Sequence, residues 1–208
     1  MKVYERLPEV GSVNLLFDQA MYSLHDDLAR ITKVLGDAGV PYELVGGVGV
    51  LAHILERDQS RSFVTRDIDM LIRREDLGRL IAVAEAAGYQ TRKIVGGYMV
   101  LRPGQSPGEA VHIIFAGERS KSTQPEPHPA VAPVVMRFFD LQVPVAPLAD
   151  LVRMKLTSFR AKDQPHLELL DEAGLITESL EAQLPELLRE RLAQARRQWL
   201  TEKPDVED

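Results

Sequence analysis

Thr65-Arg66-Asp67-Ile68-Asp69-Met70-Leu71-Ile72 is the stretch on which the fold turns, because two acids stand two positions apart at the head of an apolar run. A short apolar run of this kind predicts a buried strand. Positions i and i+2 of a strand leave by one face, roughly 6.6 Å apart at the backbone, so Asp67 and Asp69 are expected to reach a single metal ion. Two neighbouring carboxylates repel each other and resist burial. Cations keep them ionised, typically magnesium shared with a substrate phosphate. A solvated edge strand is the other reading of the same pair.

Upstream, Tyr42-Glu43-Leu44-Val45 is a short strand candidate that runs into Gly46-Gly47-Val48-Gly49 and then a helical stretch from Val50 to Glu56. Glycines between a strand and a helix let backbone N–H groups approach a polyphosphate near the positive helix end. A tight structural turn uses glycine in the same way. Earlier still, Leu15, Leu16, Ala20, Met21, Leu24, Leu28, Ile31, Val34 and Leu35 recur at three- and four-residue steps. They predict an amphipathic helix from Ser12 to Gly36.

Downstream, a helix is expected from Glu75 to Ala87. A hairpin follows, with arms Tyr89 to Val95 and Tyr98 to Arg102 about Gly96-Gly97, and then a strand from Ala110 to Phe115. These pieces make an α/β (α+β) fold with a small mixed sheet of four or five strands flanked by helices. Ala116 to Pro147 carries Pro125, Pro127, Pro129, Pro133, Pro144 and Pro147. It is expected to be a surface loop with short extended pieces such as Val134 to Phe138, and to mark the domain boundary. Three helices are expected beyond it, over Leu148 to Phe159, Gln164 to Ala173 and Ser179 to Trp199. The organisation is therefore an α/β domain over 1–145, a C-terminal helical part over 146–200 and a flexible tail over 201–208.

Composition narrows the chemistry. Of 208 residues, 45% are hydrophobic and 27% charged, which is the balance of a globular protein. With no cysteine, disulfides, thiolate zinc sites and cysteine nucleophiles are excluded, leaving carboxylates and histidines as metal ligands. The 25 basic against 31 acidic side chains give a net charge of −6, which argues against general DNA binding. Met1 to Gly11 carries Glu5, Arg6 and Glu9 where a signal peptide needs an apolar run, and no stretch approaches a membrane span. A cytoplasmic protein, away from any membrane, is expected.

An apolar strand ending in Gly-Gly, a helix, and then Asp67-Ile68-Asp69 resembles the nucleotidyltransferase superfamily over about residues 40 to 115. That resemblance implies the nucleotidyltransferase fold and metal-dependent nucleotidyl transfer with Mg2+, or Mn2+ in its place. Asp67 and Asp69 would be metal ligands and catalytic residues, and Gly46, Gly47, Thr65 and Arg66 would bind the nucleoside triphosphate.

A second resemblance lies in Ala149-Asp150-Leu151-Val152-Arg153-Met154-Lys155-Leu156 and Phe159-Arg160-Ala161-Lys162-Asp163-Gln164-Pro165-His166-Leu167. These segments look like the helix pair of AbiEii-like nucleotidyltransferases, the toxin halves of type IV toxin–antitoxin systems. The likeness implies a toxin-type enzyme, a cognate antitoxin, and RNA such as tRNA, a protein or a small molecule as acceptor. Lys155 would be catalytic by neutralising the triphosphate, with Arg160 or Arg119 helping, and Asp163 would orient a basic side chain. An exposed lysine and a helix-capping aspartate are the alternative.

Two positions depart from the pattern. His166 takes the place of the second acid of the helix pair, and in Val111-His112-Ile113-Ile114-Phe115 His112 stands where the superfamily puts a third carboxylate. Imidazole ligates metals but cannot bridge them as a carboxylate does. His112 is thus either a site residue of an active transferase or the mark of a catalytically degenerate nucleotide- or partner-binding module.

Overall fold

The computed structural model describes residues 12–202; the N-terminal segment read above as incompatible with a signal peptide, and the tail beyond 202, lie outside the described residues. The long amphipathic helix forms as α1, Ser12–Asp37, with Leu24, Leu28, Ile31 and Leu35 at 0–2% exposure. Burying each such side chain stabilises the fold by about 1.5–3 kcal/mol. Next come β1 (Glu43–Val45), α2 (Gly46–Arg57) and β2 (Ile68–Ile72). A 3-10 turn leads into α3 (Leu77–Ala86), followed by the hairpin β3 (Gln90–Ile94) and β4 (Gly97–Leu101), and then β5 (Val111–Phe115).

The proline-rich stretch is more than the surface loop expected, and its extended piece Val134–Phe138 is a strand of the sheet. It supplies two strands, β6 (Val134–Phe138) and β7 (Leu141–Val145), which pair antiparallel with each other. β7 then pairs parallel with β1 through Leu44 and Val145. The sheet accordingly has seven strands in the order β3-β4-β5-β2-β1-β7-β6, not four or five. Prolines at the flanks, and Pro144 inside β7, obscure an alternation that buries Met136, Phe138, Val143 and Val145.

Four helices complete the described chain: α4 (Leu148–Ser158), α5 (Gln164–Glu172), α6 (Glu178–Ala182) and α7 (Glu186–Glu202). The single helix expected over Ser179 to Trp199 is broken into α6 and α7 ahead of Pro185, which has no N–H to continue it. Two apolar clusters result. The larger joins the sheet to α1, and the smaller packs Val50 and Ile54 of α2 against α4, α5 and α7. Among the described residues no helix is long and apolar enough to cross a membrane.

Candidate active site

Register brings the glycine turn onto the acid pair. The last residue of β1, Val45, stands opposite Asp69 of β2, so the chain leaves the sheet at Gly46 beside the Asp69 carboxylate. Gly46 has φ +64, which L side chains rarely adopt, and a Cβ there would overlap that carboxylate. A Cβ on Gly47 would overlap Thr65 Oγ1. Thr65 is buried and donates a long 3.5 Å hydrogen bond to Asp67 Oδ1. Asp67 immediately precedes β2, so the strand begins one residue later than expected.

On the other side, β2 runs parallel to β5 and Asp69 stands opposite His112. His112 Nδ1 is 3.5 Å from Asp69 Oδ1. Ligand atoms of Asp67, Asp69 and His112 all lie within 4.8 Å of one another, a set able to hold one divalent cation. Burial opposes the charge on Asp69, yet His112, Lys155 and Lys162 offset it and hold the carboxyl below its ordinary pKa. Hydrogen bonding of the His112 ring to the Asp69 carboxylate raises the pKa of His112, against its burial.

Two cavities meet at this point. One, of about 450 Å³, is lined by Gly46, Asp69 and α4 and by the loop after β5. The other, of about 310 Å³, holds Gly47, Thr65 and Asp67 with four cations: Arg66, Lys155, Arg160 and Lys162. Asp69, Lys155 and Arg160 stand on both.

No sequence-family model matches the chain, and no curated protein sequence matches it. Solved structures do. The crystal structure of ANT(2'')-Ia in complex with adenylyl-2''-tobramycin superposes with TM-score 0.54 at 16% identity, covering 83% of this chain and 96% of that one. The fold is the nucleotidyltransferase fold. An antigenic nucleotidyltransferase-like protein from Paracoccidioides brasiliensis gives TM-score 0.47 at 14% identity, over 90% of this chain and 91% of that one.

On this nucleotidyltransferase fold the helical part closes the cleft through Lys155. Lys155 is 5% exposed, which removes the exposed-lysine alternative. Its Nζ donates to Asp163 Oδ1 at 3.1 Å and to His166 Nδ1 at 2.9 Å. Burial lowers the Lys155 pKa, with Asp163 opposing the shift. Asp163 is fully buried and does not cap α5. It accepts from Ser158 Oγ at 2.6 Å and from Arg160 Nε at 3.0 Å. Despite burial, Arg160 and Lys155 hold its carboxyl well below the ordinary range. His166, in the place of an acid, is kept neutral by burial and by Lys155, its pKa pushed down to about 4, and so serves as an acceptor. The path back from α4 to Asp163 requires Phe159 in the left-handed region, at φ 45 and ψ 43.

Gly46, Gly47, Thr65, Arg66, Asp67, Asp69, Lys155, Arg160 and Asp163 thus line one or both cavities, and His112 adjoins Asp69. Arg119 does not join them. Its guanidinium donates to the Gln124 and Pro125 carbonyls at 2.9 and 3.1 Å, and it lines neither of the two cavities. Sequence reasoning missed Lys162, whose Nζ is 3.7 Å from Asp67 Oδ2, although it sits within a motif already singled out. It also left unmarked Ser120 and His128, which line the larger cavity.

Proposed function

We propose that this chain is a nucleotidyltransferase that moves a nucleoside monophosphate from a nucleoside triphosphate to a hydroxyl acceptor. The observation that carries the reading is the contact of Gly46 with Asp69, which makes the phosphate turn and the acid pair one unit. The donor set of two carboxylates and an imidazole fits a divalent cation, with Asp67, Asp69 and His112 as its holders. Magnesium or manganese bound there would supply Lewis-acid polarisation of the attacked phosphate.

The chain's own residues do the rest. Arg66, Lys155, Arg160 and Lys162 face the polyphosphate in the smaller cavity, which Gly47 in the first turn of α2 also lines. Asp163 and His166 hold the Lys155 ammonium in place before substrate arrives, so little side-chain entropy is lost on binding. Because Asp69, Lys155 and Arg160 belong to both cavities, the reacting phosphorus lies at their junction and the acceptor hydroxyl approaches from the larger one.

Two finer points have their own support. The meeting of Lys155 with Asp163 in the cleft favours the AbiEii-like, toxin-type form, with tRNA or a protein as acceptor and an antitoxin as partner. A small-molecule acceptor is favoured instead by the fold neighbour that holds adenylyl-2''-tobramycin. His112, in place of a third acid, is the observation behind the second reading, a catalytically degenerate nucleotide- or partner-binding module.

Thermal denaturation and label transfer test these readings together. Magnesium or manganese should raise Tm only with a triphosphate present, and Asp67→Asn combined with Asp69→Asn should abolish the shift. Label from α-labelled triphosphates should then pass to RNA, protein or small-molecule hydroxyls. A shift without transfer selects the degenerate binder; a shift that survives in the double variant defeats the site.

A further inference from the structure

The larger cavity has a wall that the proposed reaction leaves unused. Residues 117–128 form a loop closed by backbone hydrogen bonds from Gly117 N to His128 O at 3.0 Å and from His128 N to Glu118 O at 2.8 Å. Its tip is tied by Gln124 N to Lys121 O at 3.1 Å and by the Arg119 guanidinium. Ser120 and His128 line the same cavity as Gly46, Asp69, Lys155 and Arg160.

Within that wall Ser120 Oγ and His128 Nε2 are 2.7 Å apart. The loop is already closed by other bonds, so this pair is not needed to hold it together. Burial lowers the pKa of the His128 imidazole from its ordinary value, with Glu118 opposing the shift. With the ring hydrogen on Nδ1, Nε2 accepts from the serine hydroxyl, which is the relationship between a nucleophile and its base. His112 has no such freedom, since its Nδ1 is engaged by Asp69.

We propose that Ser120 is a nucleotidyl acceptor within its own chain and that His128 is the base that activates it, an inference that rests on the nucleotidyltransferase reading. The Ser120 hydroxyl proton passes to His128 Nε2 as Oγ forms a bond to the α-phosphorus of a bound nucleoside triphosphate. The bond from that phosphorus to the β-phosphate oxygen breaks, and pyrophosphate leaves with the electron pair. Ser120 then carries a nucleoside monophosphate ester, and His128 returns its proton to water.

The test incubates the full chain with each α-labelled nucleoside triphosphate and magnesium or manganese, followed by intact-mass measurement and peptide mapping. One added nucleoside monophosphate, on the peptide that contains Ser120, is expected. Ser120→Ala should remove it, and His128→Gln should slow it by about 10²-fold. Label on another residue, or undiminished label in Ser120→Ala, overturns the assignment. So does an unlabelled wild type that still shows the metal- and triphosphate-dependent rise in Tm, and in that case the nucleotide site stands. If wild type shows neither label nor thermal shift, both readings fall.

Discussion

Asp69 and His112 face each other across the parallel ladder of β2 and β5, with Asp69 Oδ1 and His112 Nδ1 3.5 Å apart. The backbone register fixes this distance, so the imidazole stands where a third carboxylate would complete an all-oxygen cation site. Nitrogen in the donor set favours manganese over magnesium, which is a hard cation that prefers oxygen. His112→Asp should therefore strengthen magnesium binding roughly tenfold or more, with less gain for manganese. Calorimetric titration of both ions into wild type and variant in the presence of a triphosphate checks this. Equal ratios of the two affinities would place His112 outside the cation site.

Gly46 and Gly47 meet different neighbours and should fail differently. Gly46→Ala adds a Cβ at φ +64 against the Asp69 carboxylate, so stability should fall by roughly 2 kcal/mol or more. Gly47→Ala presses only on the Thr65 side chain, whose hydroxyl must shift. Its fold should survive while Thr65 loses its contact with Asp67 and nucleotide-dependent stabilisation weakens. Urea denaturation and the thermal shift separate the two outcomes; unchanged nucleotide binding in Gly47→Ala would remove the turn from the site.

Lys155 and Asp163 form a buried ion pair at 3.1 Å. Lys155→Met leaves the Asp163 carboxylate inside the protein with Arg160 and Ser158 as its remaining partners, and should cost about 3 kcal/mol. The Asp163 carboxyl lies below its ordinary pKa, so its stabilising contribution is full above the ordinary carboxylate range and is lost as pH falls toward the folded-state value. Acid unfolding of wild type should accordingly be steeper than that of Asp163→Asn. Superimposable acid transitions would contradict the pairing.

Glu43 is fully buried on β1, where its Oε2 accepts from Ala132 N at 2.9 Å and its Oε1 has no hydrogen-bond partner among the described residues. Burial pushes its pKa up to about 7. A folded-state pKa above the unfolded one means that its contribution to stability is full below about pH 4.5 and is lost as pH rises through 7. Glu43→Gln should gain on wild type by roughly 3 kcal/mol between pH 4.5 and pH 8. Urea midpoints at the two pH values measure this, and a constant difference would show that Glu43 does not titrate in that range.

Local sequence determined the elements that carry their own signal. The three- and four-residue spacing that wrote α1, the Gly-Gly turn and the apolar run from Ile68 to Ile72 all act within one helix face, one turn or one strand, where physical cause and sequence neighbour coincide. The pattern also placed His112 on its own strand, and β5 does lie beside β2. Tertiary structure alone decided the rest. β7 is held in the sheet by pairing with β1, some hundred positions away in sequence, and β6 by pairing with β7, so the extended piece expected over Val134 to Phe138 gains its place in the sheet only from the fold. For Lys155 the sequence left a catalytic lysine and an exposed one both open, and the left-handed Phe159, which folds Asp163 and His166 back over it, removes the exposed alternative. Ser120 and His128 are eight positions apart in a segment with no periodicity; only the backbone bonds that close their loop bring hydroxyl and imidazole together on the cavity wall, because a hydrogen bond depends on where the chain returns and not on what is adjacent along it.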